Sequence, residues 1–297
     1  MERLFFPVAL GDGEQHLIAG YLYYAGKLKH QVLQVTVHGA TYQHLYWDLP
    51  PIANQSYSYA RHMARQGYAV LAIDQLGTGL SSQPDGDTVT LGATANALHQ
   101  VLVSLRTTEN PTRKAFNRIA LVGHSNGSLT AIYATGTYHD CDALITTAWL
   151  HTPHPPGFDP TAVIAALTTP YLPARSFSAE FQEIFFHMPS TDPAAFHFDY
   201  NHSLARQARA QFLDLMGASQ DTSLSRSTQV TVPVLVQGAD FDTLQPAIYM
   251  ANEADYYPAS PSVTLQYLDD MGHNVNAHRN HLQSWQGIDR WLRAHLH

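Results

Sequence analysis

Short apolar runs of strand length recur along the chain and alternate with stretches in which apolar residues are spaced three or four apart. The apolar runs predict β-strands over residues 4–10, 17–24, 31–37, 68–73, 118–122, 142–150, 232–237 and 263–268. The helical spacing predicts helices over about 56–66, 91–106, 128–137 and 278–296. Gly11-Asp12-Gly13 separates the first two strands and predicts a hairpin. The later alternation predicts an α/β fold, with a mostly parallel sheet and helices on both faces.

This alternation stops between residues 151 and 228. The stretch from His151 to Gly157 is rich in proline and cannot continue a strand or a helix. Beyond it the pattern predicts helices over 161–168, 178–187 and 203–216, with many aromatic residues. We interpret 151–228 as a mainly helical cap, inserted after the sixth strand into a core formed by 1–150 and 229–297. A cap this apolar favours a lipophilic or aromatic substrate over a charged one or a sugar.

Composition narrows the class of protein. The chain has 297 residues, of which 45% are hydrophobic and 13% charged, as expected for one large globular α/β domain with an insertion. The net charge is −8 and no basic run occurs, so we expect no nucleic-acid partner. The single cysteine, Cys141, excludes an intramolecular disulfide. No apolar run reaches membrane-spanning length, and the apolar stretch before Pro7 is too short for a signal peptide, so we expect a cytoplasmic location.

The pentapeptide Gly123-His124-Ser125-Asn126-Gly127 lies between the strand at 118–122 and the helix that follows. In this context a G-x-S-x-G motif predicts a nucleophile elbow, a sharp turn that exposes the serine at the carboxyl edge of the sheet. The helix N-terminus at this point favours a developing oxyanion. Ser125 is therefore the candidate nucleophile.

Two further chemical groups follow later strands. A carboxylate, Asp240 or Asp242, stands after the strand at 232–237 and before a helix starting near Pro246, and His273 follows the last strand. A serine hydroxyl needs an imidazole to take its proton, and the imidazole needs a carboxylate to fix its tautomer. The order Ser125, aspartate, His273 is that of the α/β-hydrolase triad.

The chain resembles the α/β-hydrolase superfamily over most of its length, through His38-Gly39, Asp74-x-x-Gly77-x-Gly79-x-Ser81, the elbow, the Gly238/Asp242/Pro246 segment and Gly272-His273. It looks most like the capped branch of esterases, lactonases and proline iminopeptidases. The resemblance implies Ser125 as nucleophile, His273 as base, and an oxyanion hole formed by the Ala40 and Asn126 N–H groups.

The chain departs from the family pattern at three positions. Many relatives have glycine where Ser128 stands, and a bulkier or sulfur-bearing residue where Asn126 stands; neither difference alters the backbone donors of the oxyanion hole. The third departure affects the acid, because the usual place of the aspartate holds Phe241. Counting back from Pro246 favours Asp242, and Asp240 stays the alternative.

Other site types receive little support. The Gly77-x-Gly79 pair lacks the third glycine of a dinucleotide fingerprint, and the cap histidines form no metal-ligand array, so we expect no cofactor and no metal. We expect the substrate to contact Tyr42 and Trp47 in the aromatic loop at 41–52, and His124, Phe181 and Phe185.

These observations predict a serine hydrolase that cleaves an ester or lactone of an apolar, medium-sized substrate through an acyl-enzyme. Two alternatives remain open. The first is a biosynthetic enzyme of the same fold, such as a C–C hydrolase, cyclase or acyltransferase. The second is a non-catalytic protein that binds a small ligand. The sequence does not predict the oligomeric state.

Overall fold

The computed structural model describes residues 1–28, 31–151 and 167–296. Ten strands occur in it: β1 (Glu2–Ala9), β2 (Gln15–Tyr23), β3 (Leu33–Val37), β4 (Ala69–Ile73), β5 (Ile119–His124), β6 (Ala143–Thr147), β7 (Tyr171–Leu172), β8 (Gln207–Ala208), β9 (Val234–Ala239) and β10 (Val263–Leu268). Eight of them form one sheet in the order β1-β2-β4-β3-β5-β6-β9-β10, and β7 pairs with β8 alone.

The predicted hairpin forms one edge of this sheet. Strands β1 and β2 pair antiparallel, with Glu2 opposite Leu22, and β2 pairs antiparallel with β4. The six strands from β4 to β10 in the sheet order pair in parallel. The mostly parallel α/β sheet is therefore confirmed. Its parallel strands all end at one edge, where the candidate catalytic residues follow them.

Helices cover both faces of the sheet, as predicted. The α-helices outside the segment between β6 and β9 are α1 (Tyr59–Arg65), α2 (Leu91–Leu105), α3 (Asn126–Tyr138) and α7 (Leu282–Leu296). The helix predicted to start near Pro246 is a 3₁₀ helix, Ala247–Tyr256. Residues of α2 and α3 pack with Leu121 in one core cluster, and residues of α1 and α7 pack with Val122 in a second. Consecutive residues of β5 thus point to opposite faces, and both are buried because both faces are covered.

Residues 167–228, here called the cap segment, contain the helices α4 (Ala179–Gln182), α5 (Pro193–Phe198) and α6 (Arg209–Gln220). The helix predicted over 203–216 starts later, at Arg209. The reason is that the preceding residues run beside the loop after β3, with Tyr42 bridged to Leu204. The helix predicted over 161–168 lies largely outside the described residues, and the assignment of 151–228 as a separate cap stays a prediction. Within the described residues, no helix is both long and apolar enough to cross a membrane.

Candidate active site

Ser125 occupies the sharp turn between β5 and α3. Its φ of 52° and ψ of −123° lie outside the regions that a residue with a side chain favours. The Ser125 N–H donates to the Thr147 carbonyl at 2.8 Å, which holds the turn against β6. The flanking glycines allow close packing, because a Cβ on Gly123 would lie 2.4 Å from the Ser128 Cα, and one on Gly127 2.2 Å from the Val37 carbonyl oxygen.

Ser128 braces the same turn from the first helical turn of α3. Its hydroxyl donates to the Thr147 carbonyl at 3.0 Å and accepts from the Thr147 N–H at 3.1 Å. Both groups belong to the last residue of β6, which is where the Ser125 N–H is also anchored. The serine that replaces the glycine of many relatives therefore ties α3 to the edge of β6.

Asp242 is the carboxylate that contacts His273. Its Oδ2 lies 2.8 Å from the His273 Nδ1, and its Oδ1 accepts the N–H groups of Leu244 and Gln245 at 2.8 and 2.9 Å. Asp242 and His273 are both buried. Because Nδ1 faces the carboxylate, Nε2 is the nitrogen left to exchange a proton in the pocket.

The alternative acid has a different place. The Asp240 Oδ1 accepts from the Met271 N–H at 3.1 Å, so Asp240 braces the loop that carries His273. Phe241, which stands where relatives have the acid, is 48% exposed and stacks on His187 with ring centroids 3.9 Å apart. The geometry thus pairs Asp242, rather than Asp240, with the histidine.

The loop after β3 approaches the elbow closely. A Cβ on Gly39 would lie 3.2 Å from the Ser125 Cβ, so glycine lets the backbone around Ala40 come near the serine. The His38 Nε2 accepts from the Gln75 N–H at 3.1 Å, so its Nδ1–H donates to the Gly39 carbonyl at 2.8 Å. Burial lowers the pKa of His38 to about 4, which keeps this tautomer neutral. Asn126 opens α3, so its N–H has no carbonyl one turn earlier to bond.

One pocket, with about 830 Å³ of empty space including its open mouth, brings these groups together. Ser125, His273 and Ala40 line it. The other lining residues are Gly39, Thr41, Tyr42, His124, Ala148, Trp149, Phe177, Phe181, Phe185, Phe212, Leu215, Met216, Ser219, Leu244, Gln245 and Asn274. Most of this lining is apolar, and the cap segment contributes three of its phenylalanines between 177 and 185.

Four of the five predicted substrate contacts line this pocket: Tyr42, His124, Phe181 and Phe185. The prediction for Trp47 needs correction, because its indole is 1% exposed and packs edge-on against Tyr46 and Tyr59 in the core cluster with α1. The aromatic loop therefore turns its tryptophan into the core, and of its aromatic residues only Tyr42 lines the pocket.

The sequence pattern did not identify α6 as part of the pocket lining. Phe212, Leu215, Met216 and Ser219 all line the pocket and follow each other at helical spacing. That spacing was visible in the sequence, but it is also the spacing of an ordinary core-facing helix.

His124, beside the nucleophile, is a neutral structural neighbour. Its ring stacks on Tyr46 with centroids 4.2 Å apart, and its Nδ1 lies 3.1 Å from the Thr147 Oγ1. Burial holds its pKa well below the usual value, and the nearby His273 and His38 add to this effect. Of the two described histidines that line the pocket, His124 and His273, only His273 has a carboxylate partner.

A known protein family matches most of this chain. The profile of the Hydrolase_4 family, described as serine aminopeptidase S33, matches residues 53–278. The chain belongs to this family of α/β-hydrolases. Among curated proteins none matches it significantly.

Solved structures share the α/β-hydrolase fold at low sequence identity. The chain is similar to a thermophilic esterase from Thermogutta terrifontis, with 21% identity, 99% of each chain covered and a TM-score of 0.69. It is also similar to a monoglyceride lipase from Saccharomyces cerevisiae, with 16% identity, 99% and 95% covered and a TM-score of 0.72. A bromoperoxidase from Bacillus anthracis has 16% identity, 99% of each chain covered and a TM-score of 0.69.

A buried polar network joins the cap segment of this α/β-hydrolase to the loop after β3 and to the loop that contains His273. The Tyr42 hydroxyl donates to the Asp199 Oδ2 at 2.7 Å and accepts from the side-chain amides of Gln182 and Asn274, each at 3.0 Å. Asn274 directly follows His273. Burial raises the pKa of Asp199 to about 7, although its polar neighbours Tyr42, Ser203 and Asn274 favour the ionised form.

This shift predicts a pH dependence of stability. Between the usual carboxyl pKa of 3.8 and about 7, the folded protein keeps a proton on Asp199 that the unfolded chain has released. The free energy of unfolding therefore falls as pH rises through that window. Asp199→Asn keeps an acceptor for Tyr42 and removes the ionisation. From about pH 4 to about pH 8, wild type should lose up to ~4 kcal/mol relative to this variant, at about 1.4 kcal/mol per pKa unit.

Urea unfolding of both proteins across this range measures the difference. Asp255→Asn, at an exposed carboxylate outside the network, is the matched control and should follow the wild-type profile. Parallel profiles for wild type and Asp199→Asn would show that the Asp199 pKa is not raised.

Proposed function

We propose that this α/β-hydrolase cleaves carboxylic esters, lactones included, of apolar and medium-sized substrates through Ser125, His273 and Asp242. The observation that carries the proposal is the 2.8 Å contact between the His273 Nδ1 and Asp242, in a pocket that also contains the strained Ser125. This arrangement supplies a nucleophile, a base with a free Nε2, and a carboxylate that orients the base.

The reaction proceeds by acyl transfer to water. The His273 Nε2 takes the Ser125 proton as the serine oxygen attacks the ester carbonyl, and the Ala40 and Asn126 N–H groups stabilise the oxyanion. His273 then gives its proton to the leaving alcohol oxygen, and the carbon–oxygen bond of the ester breaks. Water attacks the acyl-enzyme by the same sequence and releases the carboxylic acid. The Asp242 carboxylate stabilises the imidazolium that forms twice in each cycle.

The lining of the pocket supports an apolar, neutral substrate. Among its described residues are four phenylalanines of the cap segment but no Asp, Glu, Lys or Arg. An aminopeptidase substrate carries an ammonium group, which a pocket without a carboxylate binds poorly. An esterase and a monoglyceride lipase are among the structural neighbours, which supports ester cleavage.

Hydrolysis of p-nitrophenyl esters of increasing acyl length, together with lactones and aminoacyl p-nitroanilides, tests the reaction class. Turnover should be greatest for esters of medium acyl length, and the anilides should react poorly. Ser125→Ala should lower kcat by roughly a million-fold, since the nucleophile acts with its base as one unit. Ser176→Ala, at an exposed serine of the cap segment, is the control and should keep wild-type turnover. A faster reaction with the anilides would contradict ester specificity.

The two aspartates provide a matched pair of variants. Asp242→Asn should lower kcat by roughly 10⁴-fold, because the amide presents a donor to Nδ1 and selects the wrong imidazole tautomer. Asp240→Asn keeps an acceptor for the Met271 N–H, and its kcat should stay within about tenfold of wild type. Steady-state kinetics of both variants on one ester decide between them. A crippled Asp240→Asn beside an active Asp242→Asn would reverse the assignment of the acid.

A further inference from the structure

Three buried glutamines form a chain of hydrogen bonds whose two ends meet the loop after β3. Gln75, Gln207 and Gln211 are each no more than 2% exposed. The Thr41 N–H donates to the Gln207 Oε1 at 3.1 Å, and the Gln207 Nε2 donates to the Gln211 Oε1 at 2.9 Å. The Gln211 Nε2 then donates to the Gln75 Oε1 at 3.2 Å, and the Gln75 Nε2 donates to the His38 carbonyl at 2.6 Å.

The backbone groups at the two ends determine the direction of the chain. At one end the chain contacts the backbone N–H of Thr41, which is a donor. At the other end it contacts the backbone carbonyl of His38, which is an acceptor. Each amide between them must therefore accept through its oxygen on one side and donate through its nitrogen on the other. No alternative orientation of a single amide satisfies both neighbours, so the chain behaves as one connected unit.

Core packing alone does not explain these residues. A buried primary amide loses its bonds to water and contributes little net stability even when it is paired, whereas an apolar side chain of similar size would contribute directly. The three glutamines also come from separate places, since Gln75 follows β4, Gln207 lies in β8 and Gln211 lies in α6. All three belong to one hydrogen-bond chain, and both ends of that chain contact the loop after β3.

That loop contains Ala40, the proposed oxyanion donor. The chain binds the residues on both sides of Gly39-Ala40 and engages the N–H of Thr41, while the Ala40 residue faces the pocket. Thr41 has a φ of 64°, a left-handed conformation that a β-branched residue rarely adopts and that its surroundings must hold in place. The Thr41 carbonyl accepts from the Ala205 N–H at 2.6 Å, so the cap segment binds both backbone polar groups of this residue.

We propose that Gln75, Gln207 and Gln211 act together as positioning residues that aim the Ala40 N–H at the oxyanion, a role that rests on the proposed esterase function. The oxyanion forms only in the transition state, so a misplaced donor lowers kcat and leaves KM nearly unchanged. The amides do not ionise, so the chain holds the loop equally well across the pH range of the triad.

Gln211→Met removes the middle link with little change in volume. Loss of an oxyanion donor costs 10²–10³-fold, and a displaced one should cost less, so kcat should fall about 10- to 100-fold with KM within about twofold. Gln207→Met should cost a similar factor. The double variant should be little worse than either single one, because either substitution breaks the same chain.

Gln237→Met is the matched control. This glutamine is also fully buried and donates to Gln266 and to the Ser284 carbonyl, away from the loop. It should lose stability as the other variants do but keep kcat within about twofold of wild type. A folded Gln211→Met with unchanged kcat, or one that matches Gln237→Met in every parameter, would overturn the proposal.

Gln211→Glu adds a readout that a general loss of stability would not produce. An ionised glutamate still accepts from Gln207 but cannot donate to Gln75, whereas a protonated one restores the donor. The ratio of its kcat to that of wild type should therefore rise as pH falls. A ratio independent of pH would contradict the directional chain.

Amide hydrogen exchange separates this proposal from the proposed function. Exchange over residues 39–42 should speed up in Gln211→Met and stay slow in Gln237→Met, whether or not any ester is hydrolysed. Unchanged exchange would overturn the positioning role. Faster exchange in a protein that cleaves no ester would support the contact between the glutamine chain and the loop, and would contradict the esterase assignment instead.

Discussion

The strained backbone of Ser125 is the constraint on which the rest of the site depends. A non-glycine residue at positive φ costs free energy, so the surrounding structure must hold it there. The carbonyl of Thr147 anchors its N–H, and the hydroxyl of Ser128 fastens α3 to the same residue. Gly127 lets the first turn of α3 lie against the end of β3, which brings the loop after β3 close to Ser125.

Buried polar groups connect the loops around that turn. The Tyr42 hydroxyl links Asp199 of the cap segment with Asn274, the residue after His273. The glutamine chain links α6 with the loop that carries Ala40. Such bonds are directional, so they specify the relative placement of the loops more sharply than apolar packing does. Some apolar residues of the cap segment, Phe181 and Phe185 among them, line the pocket.

Local sequence patterns predicted the sheet, its covering helices and the elbow, because each depends on periodicity or on a short motif. The acid of the triad is harder to predict from the sequence, because Asp240 and Asp242 both follow β9. The choice between them depends on which side chain the turn directs toward His273, and the spacing of residues along the chain does not reveal this. Trp47 was placed at the pocket because it lies in an aromatic loop, yet its ring packs into the core. The glutamine chain joins residues up to 166 positions apart, and no local pattern in the sequence marks it.

Covalent trapping tests the central claim most directly. The intact protein is incubated with a labelled fluorophosphonate, and the modified peptide is located by mass spectrometry. We expect one adduct per chain on Ser125, absent in Ser125→Ala and formed far more slowly in His273→Ala. An enzyme that hydrolyses esters with Ser125 unmodified, or with the adduct on another residue, would contradict it.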